Sequence, residues 1–532
     1  MLISPYPKRV LPKIMNRYVD MTRDELIARL AALESSPKKV PGPDEYHTQP
    51  TPKPPTPSAP TVAPVTSTPA ASAAEKPKFV KKKKEPVQFQ WGAQSTRHIA
   101  LLVSYLGWPY SGLAIQPTSH YPTVEGELLK ALEKTYLVGP GGWEACGFSR
   151  CGRTDRGVSG AGQVLNLWVR STRKEGDGGY PLNGTWKPPS EERVPRQSKA
   201  VEGMGEGAEG ENTDALAEKQ EKKTAKAPPQ MDLGYPRLLN SVLPDDIRVL
   251  AWSPAPTDFD SRFSCDFRHY KYAFHIVPSP GAEPLDLDLM TEAAKLLLGE
   301  HDFRNFCKVD GSKQIESHKR TVLQAYFEKE SEGVYIFNLV GNAFLWHQVR
   351  HIMAVLFLVG SRLEPPSVVT DLMDVERFPG KLKYKMADPI PLRLHECGFL
   401  PEAGLDWRYG PYDGPWQTMP EGPEKEAVRH LAEHGQQTLE RTLEAQRQQA
   451  EIKAWQIAGA QQRLNEILKP ESTKPETHTV YPLGGGMAEW VRKYTPMVER
   501  EMGDTPDMIN QRWRENKGAR RAARKGADDD DE

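Results

Sequence analysis

The stretch Ser149-Arg150-Cys151-Gly152-Arg153-Thr154-Asp155-Arg156-Gly157-Val158-Ser159 sets one carboxylate among three arginines on a glycine-bounded turn. Before it, Cys146-Gly147-Phe148 reads as the end of a strand; after it, Gln163-Val164-Leu165-Asn166-Leu167-Trp168-Val169 reads as another. Two apolar runs joined through so polar a loop demand a sheet with the loop displayed at its edge. Such a scaffold fixes Asp155 and leaves it reachable, which suits a reactive group. Asp-Arg-Gly also suits a plain surface turn, and four residues alone do not separate the two readings.

The wider window does. Gly152 to Ser159, with Gly162-Gln163-Val164 beyond, resembles the catalytic signature of TruA-type tRNA pseudouridine synthases. Further blocks stand in that family's order: Asn240 to Ile247, Arg262-Phe263-Ser264 with Arg268-His269-Tyr270-Lys271-Tyr272, His301-Asp302-Phe303, and Gly341 to Arg350. The resemblance runs from His98 to Phe399 with one insertion. Tyr105 to Ala114, Ser149-Arg150-Cys151 and His301 to Lys308 look like the eukaryotic branch acting on tRNA positions 38 and 39. Gly160 stands where the family usually has alanine. The resemblance implies an isomerase that converts uridine to pseudouridine in the anticodon arm. Two alternatives are a sister branch that modifies many tRNA positions and a non-catalytic RNA-binding protein on the same fold.

It also implies roles for particular residues. The reaction breaks the N1 to C1' bond of a uridine and rejoins the base through C5, with no redox step, so no cofactor is expected. A carboxylate beside C1' serves as nucleophile or anionic stabiliser, and Asp155 takes that role. A part-buried carboxylate stays ionised only near a cation, and Arg350 is the family's arginine for that place. Tyr270 matches the active-site tyrosine, able to stack on the freed uracil and pass a proton. Tyr272, two residues on, shares its strand face, and ordinary packing is its expected role. Flipping a base out of an RNA stack costs about a few kcal/mol. Arg153 is the candidate wedge or phosphate anchor, with Arg156 and Arg262 as supporting charges. Leu392, by analogy, lines the apolar wall of the pocket.

Composition bounds the rest. With 48 prolines, 42 glycines and 38% hydrophobic residues in 532, much of the chain cannot be packed core. The formal net charge of -1 offers no whole-chain signal for nucleic acid, so any RNA contact must come from local patches. Five scattered cysteines look like neither a disulfide framework nor a zinc site, and no metal is expected. Ile352 to Val359 falls far short of the roughly 20 residues that span a bilayer and reads as a buried helix. The expected setting is nucleus or cytoplasm, with tRNA as partner, no membrane, and a homodimer as an option.

Along the chain, residues 1–97 form a mostly disordered extension. It holds a short amphipathic helix at 22–34, a linker with eleven prolines from Pro41 to Pro77, and a basic cluster at 76–84 that reads equally as an import signal or an RNA tether. Residues 98–400 form the catalytic region, with a glycine-, glutamate- and lysine-rich insertion at about 172–230. Its strands and helices predict an α+β fold on antiparallel sheet, and the resemblance adds two related halves around a central cleft. Trp108 and Tyr110 are read as core aromatics, with base stacking as the rival role. Residues 401–532 form a polar, partly helical extension ending in mixed charge.

Overall fold

The computed structural model describes residues 89–116, 120–139, 142–175, 178–182, 231–279, 281–414, 417, 419, 421–468 and 478–518. The helix expected at 22–34, the basic cluster at 76–84 and residues 183–230 of the insertion lie outside these.

The first half grows from the apolar run that begins near Ile99. β1 (Ser95–Tyr105) extends four residues further upstream than that run. Thr123 accepts the Gly126 N–H and starts α1 (Val124–Lys134), which buries Val124, Leu128, Ala131 and Leu132. Tyr136 lies past the helix at φ 54 and stacks on Phe89. Cys146 to Phe148 is not a strand end, because Gly147 at φ 61 turns the chain after a short helix at Gly142–Ala145. The strand is β2 (Ser149–Arg150), paired with β3 (Ser159–Ser171). β3 in turn runs antiparallel to β1 from Ser95↔Ser171 to Tyr105↔Gly160. β4 (Tyr180–Pro181) pairs with the start of β1 and belongs to the sheet, although it falls within the expected insertion. After α2 (Tyr235–Asn240), β5 (Ile247–Pro254) covers the other edge of β1.

The second half repeats the plan. β6 (Phe267–His275), α3 (Leu287–Lys295), β7 (Gly299–Asp302), β8 (Lys319–Ser331) and β9 (Val334–Gly341) lead into α4 (Gln348–Gly360). Every residue of α4 is buried, as its all-round apolar sequence requires. α5 (Val368–Met373) and β10 (Leu392–Gly398) follow. In each half the first strand lies between two others of that half: β1 between β3 and β5, β6 between β9 and β10.

β10 joins the halves. It runs antiparallel to β6, with Leu392↔Tyr272 and Leu394↔Tyr270, and parallel to β3 through Arg393↔Ser159 and Leu394↔Gly160. Among the described residues one ten-stranded sheet results, and its seam passes four residues beyond Asp155. One apolar core lies in each half, and a third, smaller cluster containing Val164, Phe259 and Leu394 lies at the seam.

The break placed at residues 400 and 401 does not hold. α6 (Pro423–Ile467) is long, polar and buried only at Lys425, Val428, Gly435 and Leu439. The chain then returns to the second half as the hairpin β11 (Thr479–Gly484) and β12 (Met487–Val491), followed by α7 (Pro506–Trp513). Tyr481 and Met497 are buried in the core of that half. The Glu364 carboxylate accepts the Tyr494 O–H at 2.5 Å and the Met497 N–H at 2.6 Å. These few apolar residues have no core of their own and gain burial only by joining an existing one. Met497→Ala is therefore expected to lower stability in urea unfolding by about 2–5 kcal/mol. Trp455→Ala, on the exposed part of α6, is expected to stay within about 0.5 kcal/mol.

Candidate active site

The loop carrying Asp155 is clamped from its neighbours. The Tyr105 and Thr154 hydroxyls share a hydrogen bond of 2.8 Å, and Gln163 donates its side-chain N–H to the Gly152 carbonyl at 2.8 Å. The Leu113 N–H donates to Thr154 at 3.2 Å, and the Gly157 N–H to Tyr110 at 3.3 Å. This approach needs Gly112, at φ 97, where a Cβ would lie 2.8 Å from the Thr154 carbonyl oxygen. Gly160 has a similar reason: a Cβ there would meet the Tyr105 ring at 2.7 Å. Tyr110 is buried and donates its O–H to Asp246, so it is core as expected, whereas Trp108 is exposed.

From the other half, α4 delivers Arg350 and His347 to the same carboxylate. Gln348 accepts the Leu345 N–H at 2.7 Å while its own N–H returns to the Leu345 carbonyl, which locks the turn holding Trp346 and His347. Arg350 is buried and donates Nε to the Ala387 carbonyl at 2.8 Å, leaving Nη1 4.0 Å from Asp155 Oδ2. His347 Nε2 lies 3.6 Å from Asp155 Oδ1. Burial, with the charges of Arg350 and Lys308, pushes His347 down to about 4, so it meets Asp155 as a neutral imidazole at pH 7. Burial pushes the Asp155 carboxyl above the usual carboxylate range, against the pull of Arg350 and a hydrogen bond from the Trp346 side chain. At 22% side-chain exposure the carboxylate remains reachable. At 4.0 Å Arg350 supplies a field more than a bidentate clamp.

The structure separates the two tyrosines. Tyr272 is fully buried and donates its hydroxyl to the carbonyls of Asp388 at 3.0 Å and Leu483 at 3.2 Å. Tyr270 is half-buried, edge-on to Phe344 at 5.1 Å, and burial together with nearby groups that include Asp155 raises its phenol far above the ordinary value. Of the arginines flanking Asp155, Arg150 pairs with buried Glu125 at 2.7 Å, while Arg153 and Arg156 face solvent. Arg156 lies 4.7 Å over Tyr121, and Arg262 lies 5.4 Å over the exposed ring of Phe263. Leu392 is not an accessible wall. At 3% exposure it is core, because its position on the joining strand turns it into the second half.

Three residues of the site were not among the candidates. His347 and Trp346 stand inside the Gly341 to Arg350 block, and their place just ahead of Arg350 was the available signal. Arg268 donates to the carbonyls of Cys151 at 3.2 Å, Arg262 at 2.7 Å and Asn342 at 2.5 Å, tying three segments around the cleft. It stands at the head of the Arg268 to Tyr272 block, which was the available signal. Cys151, Cys265 and Cys397, scattered in sequence, pack together at the seam as free thiols. Among the described residues no group of His, Cys, Asp or Glu side chains is arranged to hold a metal ion.

The family described as tRNA pseudouridine synthase matches residues 293–399, a span that contains Arg350 and Leu392 and begins after Asp155 and Tyr270. The tRNA pseudouridine(38/39) synthase of Saccharomyces cerevisiae is 32% identical over 518 residues, covering 97% of this chain and 96% of that relative. The Homo sapiens protein of the same name is 36% identical over 332 residues, which is 60% of this chain and 59% of the relative. The tRNA pseudouridine synthase A of Methanothrix thermoacetophila is 29% identical over 316 residues, 59% of this chain and 86% of the relative.

The electrostatics of the site are open to measurement. With the Asp155 carboxyl isotope-labelled, carbon NMR is expected to show it titrating above the ordinary aspartate range, because desolvation outweighs the neighbouring cation. Arg350→Met removes the charge that lowers it, so the titration moves further upward. A midpoint unmoved or lowered in that variant contradicts the pairing.

Proposed function

The chain belongs to the TruA-type tRNA pseudouridine synthases, and from that membership we propose that it isomerises uridine at positions 38 and 39 of the tRNA anticodon arm, with Asp155 as the nucleophile. The observation that carries the assignment of the nucleophile is the carboxylate itself: reachable, clamped by its loop, and faced by buried Arg350 at 4.0 Å from the other half. The N1 to C1' bond breaks, the base turns, C5 bonds to C1', the C5 proton leaves and N1 gains a proton. Atoms balance within the uridine and its solvent, so the protein need supply only a nucleophile, a base platform and proton transfer.

Asp155 is ionised when it acts, and Arg350 lowers the free-energy cost of that charge in a desolvated site. Tyr270 offers its ring to the detached uracil, and its phenol stays protonated across the working pH range because its ionisation is pushed so high. His347, neutral at pH 7 and 3.6 Å from Asp155, is a titratable group within reach of the carboxylate for proton transfer. Arg153, Arg156 and Arg262, all exposed at the rim, contact phosphate and hold the flipped nucleotide. The two neighbouring targets fit a cleft that grips the stem by its shape and presents either uridine to one carboxylate.

Mapping pseudouridine at single-nucleotide resolution in tRNA treated with wild type and with Asp155→Ala tests the proposal. Product at 38 and 39 with wild type, a loss of at least about a thousandfold with the variant, and retained tRNA binding are expected. Equal product from both proteins would reject Asp155, and product mainly elsewhere would reject the target positions.

The assembly we propose is a homodimer. Its support is α6, where Leu443, Ala450, Ile457 and Leu464 recur every seven residues on a solvent-exposed stretch, the spacing of a helix seam. Sedimentation of the full chain is expected to give a dimer that Ile457→Asp converts to monomer. The five free, buried thiols suit a reducing compartment, nucleus or cytoplasm.

A further inference from the structure

Behind Arg350 and His347 the structure opens into a cavity of about 560 Å³ that neither Asp155 nor Tyr270 lines. α4 and the segment 381–388 form one side, and Leu483 and Met487 of the β11–β12 hairpin form the other. A second cavity of about 600 Å³ shares Lys308, Lys381, Tyr384 and Lys385 with the first and continues past Arg304 and Arg500. Together they make a cationic track that leaves the catalytic carboxylate through the second half.

The charges along this track are unbalanced. Lys385 pairs with Glu489 at 2.5 Å. Lys308 and Lys381 form no ion pair among the described residues, although Lys308 acts on the nearby Asp310 carboxylate and Asp388 also lines the first cavity. The Lys308 ammonium lies 4.6 Å over the Trp346 ring, and Lys381 lies 4.3 Å over Tyr384 with the Leu382 carbonyl at 3.3 Å. Burial pushes Lys381 down to about 8. Holding a desolvated cation without a counter-charge is costly, and an incoming anion relieves that cost. The cavity shares Arg350 and His347 with the Asp155 site, so an anion seated in it lies next to the place where the target uridine is held.

We propose that this cavity is a subsite for an RNA phosphodiester flanking the target uridine, with Lys308 and Lys381 holding the phosphate and the β11–β12 hairpin closing the wall around that nucleotide. The inference rests on the uridine-isomerase reading and adds to it a second point of attachment. A volume of about 560 Å³ is within the range that takes one small ligand. A phosphate contact sets register and carries no base identity, so a subsite of this kind measures distance along the strand from Asp155. It also gives the C-terminal segment a function beyond packing: Leu483 accepts the Asp388 N–H at 2.7 Å and the Tyr272 hydroxyl, fixing the hairpin against the loop that carries the Arg350 partner Ala387.

The test uses anticodon stem-loop RNAs in which each linkage from 37 to 41 is replaced in turn by a neutral methylphosphonate. With wild type, one replacement is expected to raise KM about tenfold, the weight of one charge-assisted contact, with the single-turnover rate at saturating enzyme little changed. Lys381→Gln and Lys308→Gln should raise KM on unmodified RNA by a similar factor, lose one unit of salt slope, and be indifferent to that same replacement. Lys381→Arg should restore both the affinity and the sensitivity. If Lys381→Gln does not fold, the Lys308 cycle and the wild-type linkage scan carry the test alone. Effects of linkage and lysine that multiply independently, or a wild type insensitive at every linkage, would overturn the subsite while leaving the isomerase reading intact. A wild type that fails to modify the all-phosphate RNA would instead remove the reading beneath it.

Discussion

Keeping an ionised carboxylate in a site that is mostly shielded from water is the constraint that the surrounding structure answers. Desolvation works against the charge of Asp155, and only elements from both halves of the sheet hold it in check. The first half contributes rigidity through Tyr105, Gln163 and the close approach at Gly112. The second contributes the counter-charge, carried on the first turns of a helix buried on every side. A helix so anchored cannot drift, so the 4.0 Å separation of Arg350 from Asp155 is a property of the core and not of a flexible side chain alone.

The seam makes this possible. Parallel pairing of β10 with β3 is confined to Arg393 and Leu394, yet it places the end of the second half directly beyond the Asp155 loop. Arg268 then ties together carbonyls from the segments that border the cleft, using one half-buried cation as a hub for neutral acceptors. Carbonyl oxygens satisfy the guanidinium without a competing acid, so the contact fixes these segments while the counter-charge to Asp155 is left to Arg350.

The same logic extends outward. The chain carries a formal net charge of -1, but its cations are not spread evenly. Arg153, Arg156 and Arg262 face solvent at one rim, and behind Arg350 Lys308 and Lys381 form no ion pair among the described residues. Acidic residues are abundant on α6, away from the buried part of the site, where they pair within the helix. Local imbalance is what a polyanionic substrate meets, and a near-neutral total keeps that attraction from acting over the whole surface.

The sequence by itself determined the α+β class, most strands and helices of both halves, the nucleophile candidate and its arginine, because period-two and helical patterns and the blocks around Asp155 and Arg350 are local. It also marked α4 as buried, since eight consecutive apolar residues leave no polar face. Only the tertiary structure decided the rest. Tyr270 and Tyr272 share one strand face, and what separates them is which partners reach their hydroxyls from 388 and 483. Leu392 read as pocket wall and proved to be core, since β10 is short, follows Pro391, and takes its direction from two strands remote in sequence. Cys146 to Phe148 read as strand because the apolar ends of a turn imitate one, whereas the positive φ of Gly147 ends the extended run. The hairpin at 479–491 looked like polar tail because its apolar residues are too few to form a core alone; they are buried only by joining a core assembled mostly from chain far upstream of it.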